Sequence, residues 1–266
     1  MFKDLFSLQG RVAVVTGGSR GIGKMIATGF LAQGAAKVYI TARKAGPCEA
    51  TAQELTAQYD GECIALPIDI STVEGCEKLA GEIIKLEPKL DILVNNAGAA
   101  WGAEFDEFPE SGWDKVMDLN VKSLFFLTKA LAKPLRAAAS PERPAKVINI
   151  ASVDGIFVNP SETYSYAASK AAVIHLTRRM ATKLIKDNIN VTAIAPGAFK
   201  SDMNRAARDH ADDVAKRIPA RRIGTDEDMA GVAIYLASRA GDYVVGNTIA
   251  VDGGVVYANA GLEIAG

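Results

Sequence analysis

A tyrosine and a lysine lie four residues apart in the stretch YSYAASK, at residues 164 to 170. At this spacing Tyr166 and Lys170 would share one face of a helix. One interpretation is ordinary helix surface, in which the lysine stem packs on the ring. The other is proton transfer, because a lysine cation beside a phenol lowers the phenol's pKa from about 10 and lets it exchange a proton near neutral pH. The pair alone favours the first interpretation, so the rest of the chain must decide.

A glycine-rich stretch, TGGSRGIG at residues 16 to 23, joins a β-branched run to a helical segment. Glycine lets the backbone approach a pyrophosphate closely, and the free N–H groups at a helix N-terminus carry partial positive charge. The spacing of Gly17, Gly21 and Gly23 is G-x-x-x-G-x-G, which differs from the usual G-x-G-x-x-G dinucleotide fingerprint. The alternative is a turn that uses glycine for packing only, but the strand-turn-helix context favours a phosphate-binding loop.

Two arginines stand where they would distinguish NADP from NAD. An NAD site is expected to place a carboxylate after the second strand, to bind the ribose 2′-hydroxyl, but the sequence there is VYITARK, with Arg43. Arg20 lies in the glycine stretch, so two guanidinium groups could face a 2′-phosphate, unless both are simply exposed surface side chains. Asp69, in LPIDI, would suit an adenine amino group or the cap of the following turn, and the two roles are compatible.

Short β-branched runs alternate with longer helical segments along the whole chain. This alternation predicts an α/β fold in which helices cover a parallel sheet. The predicted strands are Val12–Thr16, Lys37–Ala42, Cys63–Pro67, Asp91–Asn95, Lys146–Ala151, Asn190–Ala195 and Thr248–Val251. The predicted helices are 21–33, 48–59, 73–87, 112–139, 163–187 and 226–237.

Composition excludes several classes of function. The 266 residues are 49% hydrophobic and 23% charged, with a formal net charge of −1, so we expect a compact protein without a field that recruits nucleic acid or an anionic membrane. Three cysteines without a C-x-x-C pair argue against a zinc site or a disulfide framework. Because there is no signal sequence and no run of about 18 apolar residues, we expect a cytoplasmic protein. No linker or domain boundary is apparent along the chain, so we expect a single domain, 1–266.

Several motifs, taken in order, carry a family resemblance. The chain resembles the classical short-chain dehydrogenases/reductases over residues 8 to 257, and the glycine spacing is that family's own. Within the family it is most similar to the 3-oxoacyl-[acyl-carrier-protein] reductases of the rhamnolipid-biosynthesis kind. The resemblance implies a single-domain Rossmann fold with a doubly wound, seven-stranded parallel sheet and helices on both faces. The motifs are TGGSRGIG, Asp69, NNAG at 95–98, LNV at 119–121, INIAS at 148–152, YAASK at 166–170, APG at 195–197 and VDGG at 251–254.

The resemblance also implies an active site of four residues. Tyr166 would donate a proton to a carbonyl oxygen as hydride arrives at its carbon, and Ser152 would position that oxygen. Lys170 would hold the nicotinamide ribose and keep positive charge beside the phenol. Asn120 would hold a proton relay open to solvent, or else satisfy backbone within its helix. Tyr164 is not expected to take part, because it does not share a face with Lys170.

The cofactor implied by the resemblance and by the arginines is NADP, and no metal is expected. Small residues after the fourth strand would admit the adenosine ribose, and those after the sixth strand would line the nicotinamide. Lys200 replaces a threonine-containing turn of many relatives, so Ser201 would supply that contact or it would be lost. The predicted cofactor-binding residues are Gly17, Ser19, Arg20, Gly21, Ile22, Gly23, Arg43, Asp69, Ile70, Asn96, Ala97, Gly98, Tyr166, Lys170, Pro196, Gly197 and Phe199.

The predicted reaction is NADPH-dependent reduction of a 3-oxoacyl thioester, linked to acyl carrier protein or coenzyme A. The alternatives are an NADP-dependent dehydrogenase of a sugar, polyol or steroid alcohol, and a redox-sensing nucleotide-binding protein without catalysis. We further expect a homotetramer, a segment at 200–222 that acts as a mobile lid or is a plain surface insert, and a C-terminal tail at 258–266. Carrier-protein docking would need a basic patch, for which the candidates are Lys133, Arg136, Arg143, Lys146, Lys183 and Lys186.

Overall fold

Seven strands form one parallel sheet in the computed structural model, which describes residues 2–258. The strand order is β3-β2-β1-β4-β5-β6-β7. The predictions for β1 and β7 are correct to the residue, and the other strands are shifted at one or both ends. The strands are β1 Val12–Thr16, β2 Lys37–Thr41, β3 Glu62–Leu66, β4 Ile92–Asn95, β5 Ala145–Ile150, β6 Ile189–Pro196 and β7 Thr248–Val251.

Helices connect the strands, as the alternation predicts. Five of the six predicted helices are found with ends within three residues of the prediction, counting the short 3-10 turn that ends α7. The helices are α1 Gly21–Ala32, α2 Ala45–Gln58, α3 Val73–Leu86, α4 Glu110–Met117, α5 Ser123–Ala130, α6 Ala132–Ala138, α7 Tyr164–Leu184, α8 Arg205–Asp209, α9 Ala211–Lys216 and α10 Asp226–Ala237.

The prediction of one continuous helix over 112–139 is wrong. A π-helical turn, Asp118–Lys122, separates α4 from α5, and a second break at Leu131 separates α5 from α6. Pro134 accounts for the second break, because it has no N–H to donate to the carbonyl of Ala130 and its ring clashes there. The π turn contains Asn120 and has a different cause, described with the site.

The sheet divides the core into two layers. One layer contains Ala13 and Val15 of β1 together with α1, α2 and α10. Val14 points to the other layer, which is made with α3, α5, α6 and α7. Successive strand residues therefore point to opposite faces, both faces are covered, and the doubly wound fold is confirmed.

The strand order reverses between β1 and β4: β2 and β3 follow outward on one side of β1, and β5, β6 and β7 follow outward on the other side of β4. In open α/β sheets, ligands bind in the crevice at the carboxyl ends of the strands at such a switch point. Residues that follow β1, β4, β5 and β6 must therefore meet at one edge, which we call the carboxyl edge.

Two further predictions concern regions outside the sheet. The segment 200–222 contains the short helices α8 and α9, and its movement as a lid stays a prediction. The tail at 258–266 lies, except for residue 258, outside the described residues. Among residues 2–258, no helix is both long and apolar enough to cross a membrane.

Candidate active site

The glycine loop between β1 and α1 is tightly built. Gly17 has a φ of +65°, which favours glycine. A Cβ on Gly23 would lie 2.3 Å from the Gly17 carbonyl oxygen, so only glycine fits. No side chain caps the N-terminus of α1, whose first N–H groups are left as donors. This donor set fits the pyrophosphate of a dinucleotide.

Thr16, which sequence analysis overlooked, ties the glycine loop to the loop after β4. Its hydroxyl accepts hydrogen bonds from the backbone N–H groups of Asn96 and Ala97, each at 2.9 Å. The Asn96 amide donates in return to the carbonyl oxygens of Thr16 at 2.8 Å and Gly17 at 3.2 Å. The only signal in the sequence was that Thr16 begins the glycine stretch. Asn95 points into the sheet and donates to Asn149.

Asn120 is clamped to the loop after β4, and this explains the π turn. Its side-chain oxygen accepts from the N–H of Ala99 at 2.8 Å, and its amide donates to the Ala99 carbonyl at 2.9 Å. The same amide donates to the Ser169 hydroxyl at 2.9 Å, which donates to the Tyr166 carbonyl at 2.7 Å. Asn120 thus connects the loop after β4 with the start of α7. We attribute the π turn to these bonds, which replace the regular helix at this point.

Tyr166, Lys170 and Ser152 meet where β5 ends and α7 begins. The Lys170 ammonium donates to the carbonyl of Ile150 at 2.8 Å and lies 5.5 Å from the centre of the Tyr166 ring. Ser152 begins the turn after β5, and its hydroxyl interacts with the Tyr166 phenol. The structure brings these three side chains together, with Gly98 close enough that a Cβ on it would lie 3.8 Å from the Lys170 nitrogen.

The expectation that the pKa of Tyr166 is lowered is wrong. Burial of the phenol raises the pKa of Tyr166 to about 12, and the interaction with Ser152 only partly offsets this. Burial also lowers the pKa of Lys170 to about 8, because the charged form loses its hydration. Tyr166 is therefore a protonated phenol at neutral pH, the form needed to donate a proton.

Asp154 is a partly buried carboxyl group that the motifs did not indicate. Its backbone N–H donates to the Ser152 hydroxyl at 3.2 Å, and burial raises the pKa of its side chain. The turn that carries it packs directly on α7, since a Cβ on Gly155 would lie 2.5 Å from the Lys170 carbonyl carbon. The carboxylate raises the pKa values of both Lys170 and Tyr166 through its charge.

The two arginines of the predicted 2′-phosphate site are not directed at one point. Arg20, with its side chain 72% exposed, forms an ion pair with Asp202 of the segment after β6. Arg43 is exposed at the end of β2, and within the described part of the chain it has no ion-pair partner. Ser19 lies in the glycine loop, where its carbonyl accepts from the Thr51 hydroxyl at 2.8 Å, and Ile22 lies in the first turn of α1.

Asp69 and Ile70 follow β3 at the same edge. The Asp69 carboxylate accepts from the N–H of Ser71 at 2.9 Å, so it forms the local turn, while Thr72 caps α3. Its side chain remains exposed and able to accept another hydrogen bond, and Ile70 is buried beneath it. The turn-forming role and an adenine contact are compatible here.

The end of β6 approaches the glycine loop. Pro196 is the last residue of β6, and Gly197 follows it against Asp252, with 2.8 Å between its ideal Cβ and that side chain. Phe199 is only 2% exposed and packs on Gly224. Ser201 lies next to Gly21, since a Cβ there would be 3.3 Å from that of Ser201.

The proposed basic patch is not a docking surface near this site. Lys146 is 1% exposed and pairs with Asp242 at 2.6 Å, because it lies inside the amino end of β5. Arg136 pairs with Asp187. Lys183 lies near the C-terminus of α7, about 25 Å along the helix from Tyr166 at 1.5 Å per residue. The patch is at the opposite end of the sheet from the active site.

Comparison with known proteins identifies the family. A family model described as "Enoyl-(Acyl carrier protein) reductase" matches residues 17–256. A rhamnolipids biosynthesis 3-oxoacyl-[acyl-carrier-protein] reductase of Pseudomonas aeruginosa is 50% identical over 254 residues, covering 94% of this chain and 97% of that protein. This chain belongs to the short-chain dehydrogenase/reductase family. The predicted resemblance is confirmed, and membership makes the protein an oxidoreductase of CH–OH groups and the corresponding carbonyls.

Two other short-chain dehydrogenases/reductases show how broad the similarity is. A solved structure described as the Pseudomonas aeruginosa RhlG/NADP active-site complex has a TM-score of 0.91 and 49% identity, and covers 95% of this chain and 98% of that one. A 2-dehydro-3-deoxy-D-gluconate 5-dehydrogenase of Dickeya dadantii is 40% identical over 257 residues, covering 96% of this chain and 98% of that protein. Relatives of this chain thus include proteins named for acyl and for sugar-acid substrates.

Proposed function

We propose that the protein reduces a 3-oxoacyl thioester to the 3-hydroxyacyl thioester with NADPH as hydride donor. The observation that carries the proposal is the convergence of Ser152, Tyr166 and Lys170 next to a dinucleotide-shaped glycine loop. The cofactor is NADP(H), in agreement with the NADP complex of the relative at 49% identity. When bound, it supplies hydride to the carbonyl carbon.

The side chains of the site handle the carbonyl oxygen. We assign proton donation to the Tyr166 hydroxyl, whose high pKa keeps it protonated at neutral pH. Ser152 donates a hydrogen bond to the same oxygen and fixes its position. In the reverse direction, the phenolate form of Tyr166 accepts the proton from the alcohol.

Lys170 and Asn120 act around this pair. Lys170 is anchored by the Ile150 carbonyl, so its remaining N–H groups are available for the cofactor ribose hydroxyls. Its charge stabilises the phenolate that forms after proton transfer. Asn120 holds the start of α7 against the β4 loop and, in this proposal, maintains a water path to the site.

The cofactor-binding set remains as predicted from the sequence. We propose that the N–H groups of the glycine loop bind the pyrophosphate and that the β4 loop borders the adenosine ribose. Asp69 accepts from the adenine amino group, and the β6 end borders the nicotinamide. The full set is Gly17, Ser19, Arg20, Gly21, Ile22, Gly23, Arg43, Asp69, Ile70, Asn96, Ala97, Gly98, Tyr166, Lys170, Pro196, Gly197 and Phe199.

Apolar side chains at the carboxyl edge favour an acyl substrate. The segments that follow β4, β5 and β6 each expose one large apolar side chain: Phe105 at 73%, Val158 at 94% and Met203 at 51%. A sugar acid would instead require donors and acceptors for its hydroxyl groups, because unpaired polar groups are costly to bury. These side chains would contact an acyl chain that extends from the carbonyl.

A sugar-acid dehydrogenase is the second candidate, because a relative of that name is 40% identical along almost the whole chain. The two are separated by measuring NADPH oxidation with acetoacetyl-coenzyme A, acetoacetyl-acyl carrier protein and a set of keto sugar acids, and repeating each assay with NADH. We expect turnover of the thioesters and a preference for NADPH. Turnover of keto sugar acids without turnover of either thioester would overturn the proposal in favour of the second candidate.

A further inference from the structure

Arg20 forms an ion pair with a carboxylate of the segment that follows β6. Its guanidinium pairs with one oxygen of Asp202, while the other oxygen accepts from Arg208 at 2.8 Å. Asp202 belongs to the segment after β6, and Ser201 beside it touches the glycine loop at Gly21. The Arg20–Asp202 pair therefore joins the glycine loop to the β6 segment.

While Arg20 is paired with Asp202, it is on the wrong side of the glycine loop to bind a 2′-phosphate next to Arg43. Arg43 follows β2, which lies on one side of β1, whereas β6 lies beyond β4 and β5 on the other side. A phosphate bound beside Arg43 is therefore on the opposite side of the glycine loop from Asp202. Arg20 must leave Asp202 to join Arg43.

We propose that Asp202 is a specificity-determining residue that competes with the cofactor 2′-phosphate for Arg20. The inference rests on the proposed function, in which Arg20 and Arg43 bind that phosphate. Both competitors are anions, so a carboxylate at residue 202 weakens NADPH binding by holding the guanidinium that the phosphate would otherwise bind. NADH has no 2′-phosphate, and its binding does not depend on this exchange.

The exposure of the two side chains sets the size of the expected change in NADPH affinity. The side chains of Arg20 and Asp202 are 72% and 49% exposed, and ion pairs of this kind change an equilibrium by about 1.5-fold to fivefold. The competition therefore adjusts the preference between NADPH and NADH within this range. It does not replace the arginines as the source of the preference.

The test is a measurement of dissociation constants for NADPH and NADH by fluorescence titration. We expect Asp202→Asn to lower the Kd for NADPH about twofold to fivefold and to leave the Kd for NADH unchanged. Asp213→Asn is the matched control, because it removes one negative charge from the same segment and its carboxylate pairs with Lys216 at 2.8 Å. That variant should change neither constant.

Three results for Asp202→Asn would overturn the inference: equal tightening of both cofactors, weaker NADPH binding, and no change. Equal tightening of both cofactors would mean that the pair only obstructs the groove, and weaker NADPH binding would mean that Asp202 positions Arg20 for the phosphate. In an Arg20→Ala background, Asp202→Asn should lose its effect, since the competition acts through Arg20. If Arg20→Ala alone leaves the ratio of the two constants unchanged, the assignment of Arg20 in the proposed function fails. If Arg20→Ala reduces the preference but Asp202→Asn changes nothing, only the competition fails.

Discussion

At the scale of single residues, Tyr166 and Lys170 lose their protons at different pH values. Burial raises the pKa of Tyr166 to about 12 and lowers the pKa of Lys170 to about 8. As pH rises, Lys170 therefore loses its charge long before Tyr166 loses its proton. The lysine, rather than the tyrosine, is expected to limit carbonyl reduction in alkaline solution.

This order predicts the pH profile. For carbonyl reduction, kcat/KM should be level near neutral pH and fall as pH rises through about 8, as Lys170 deprotonates. Asp154→Asn should move this fall to lower pH, because the carboxylate of Asp154 raises the pKa of Lys170. Initial rates of NADPH oxidation across the pH range provide the measurement, and a profile that stays level to pH about 10 would contradict the assignment.

The motif predicted the residues of the site but not their bonds. The spacing of Tyr166 and Lys170 indicated that pair, whereas Ser152 and Asn120 were implied by the family resemblance. Several connections involve backbone atoms, such as the Ile150 carbonyl that anchors Lys170, and side-chain spacing gives no signal for them. The pKa of Tyr166 was predicted in the wrong direction because burial, which a sequence does not display, raises it more than the hydrogen bond with Ser152 lowers it.

At the scale of elements, the strand-turn-helix unit of β1 and α1 forms the cofactor cradle. Gly23→Ala would place a Cβ 2.3 Å from the Gly17 carbonyl oxygen and 2.5 Å from the Asn96 amide nitrogen. The loop must shift, so we expect a free energy of unfolding lower by about 1–3 kcal/mol and NADPH binding weaker by about tenfold.

The control for this variant is another helical glycine. A Cβ on Gly81, inside α3, would meet nothing within 4 Å, so Gly81→Ala should stabilise the protein by about 0.8–1 kcal/mol through helix propensity. Denaturant unfolding and NADPH titration measure both variants. Unchanged NADPH affinity in Gly23→Ala would show that the cradle tolerates a side chain.

The helices show where sequence periodicity stops being informative. Apolar spacing predicted α3 well, because Leu79 and Ile83 recur along one face that packs into the core. It did not predict the break at Asn120, since the hydrogen bonds that favour it reach Ala99, which is distant in sequence. A hydrogen bond between residues distant in sequence can be identified only when the three-dimensional arrangement of the helices and strands is known.

At the scale of the whole molecule, an ion pair between a buried lysine and a partly exposed aspartate stabilises the sheet at the end opposite the site. Lys146 is 1% exposed and pairs with Asp242 at 2.6 Å. Removing one partner of a fully buried pair costs about 3–5 kcal/mol. Because the Asp242 side chain is 27% exposed and can be hydrated, we expect Lys146→Ala to lower the unfolding free energy by less, about 2–3 kcal/mol, with unchanged kcat for the folded protein. The exposed Lys183→Ala is the control, and it should change stability by less than about 0.5 kcal/mol. A loss below about 1 kcal/mol for Lys146→Ala would contradict this account.

The predicted homotetramer would use the outer face of α4, α5 and α7. Trp113 and Phe125 are exposed there, at 42% and 41%. Light scattering should give about four times the chain mass of 28.1 kDa, and Phe125→Asp should lower the measured mass by disrupting apolar packing between subunits. Phe6→Asp is the control, because Phe6 is 50% exposed and stands two residues before Leu8, which packs in the other core layer. A monomer at all concentrations would contradict the prediction.

The central claim is that Tyr166 donates the proton, and a comparison of Tyr166→Phe with Tyr164→Phe tests it most directly. Tyr164 begins α7 and packs against Phe105 and Phe108, so losing its hydroxyl should leave kcat within about twofold. For Tyr166→Phe, the account predicts a kcat for acetoacetyl-coenzyme A reduction lower by about 100-fold to 10,000-fold, with the Kd for NADPH nearly unchanged. Equal activity of the two variants, with NADPH bound by both, would contradict the claim.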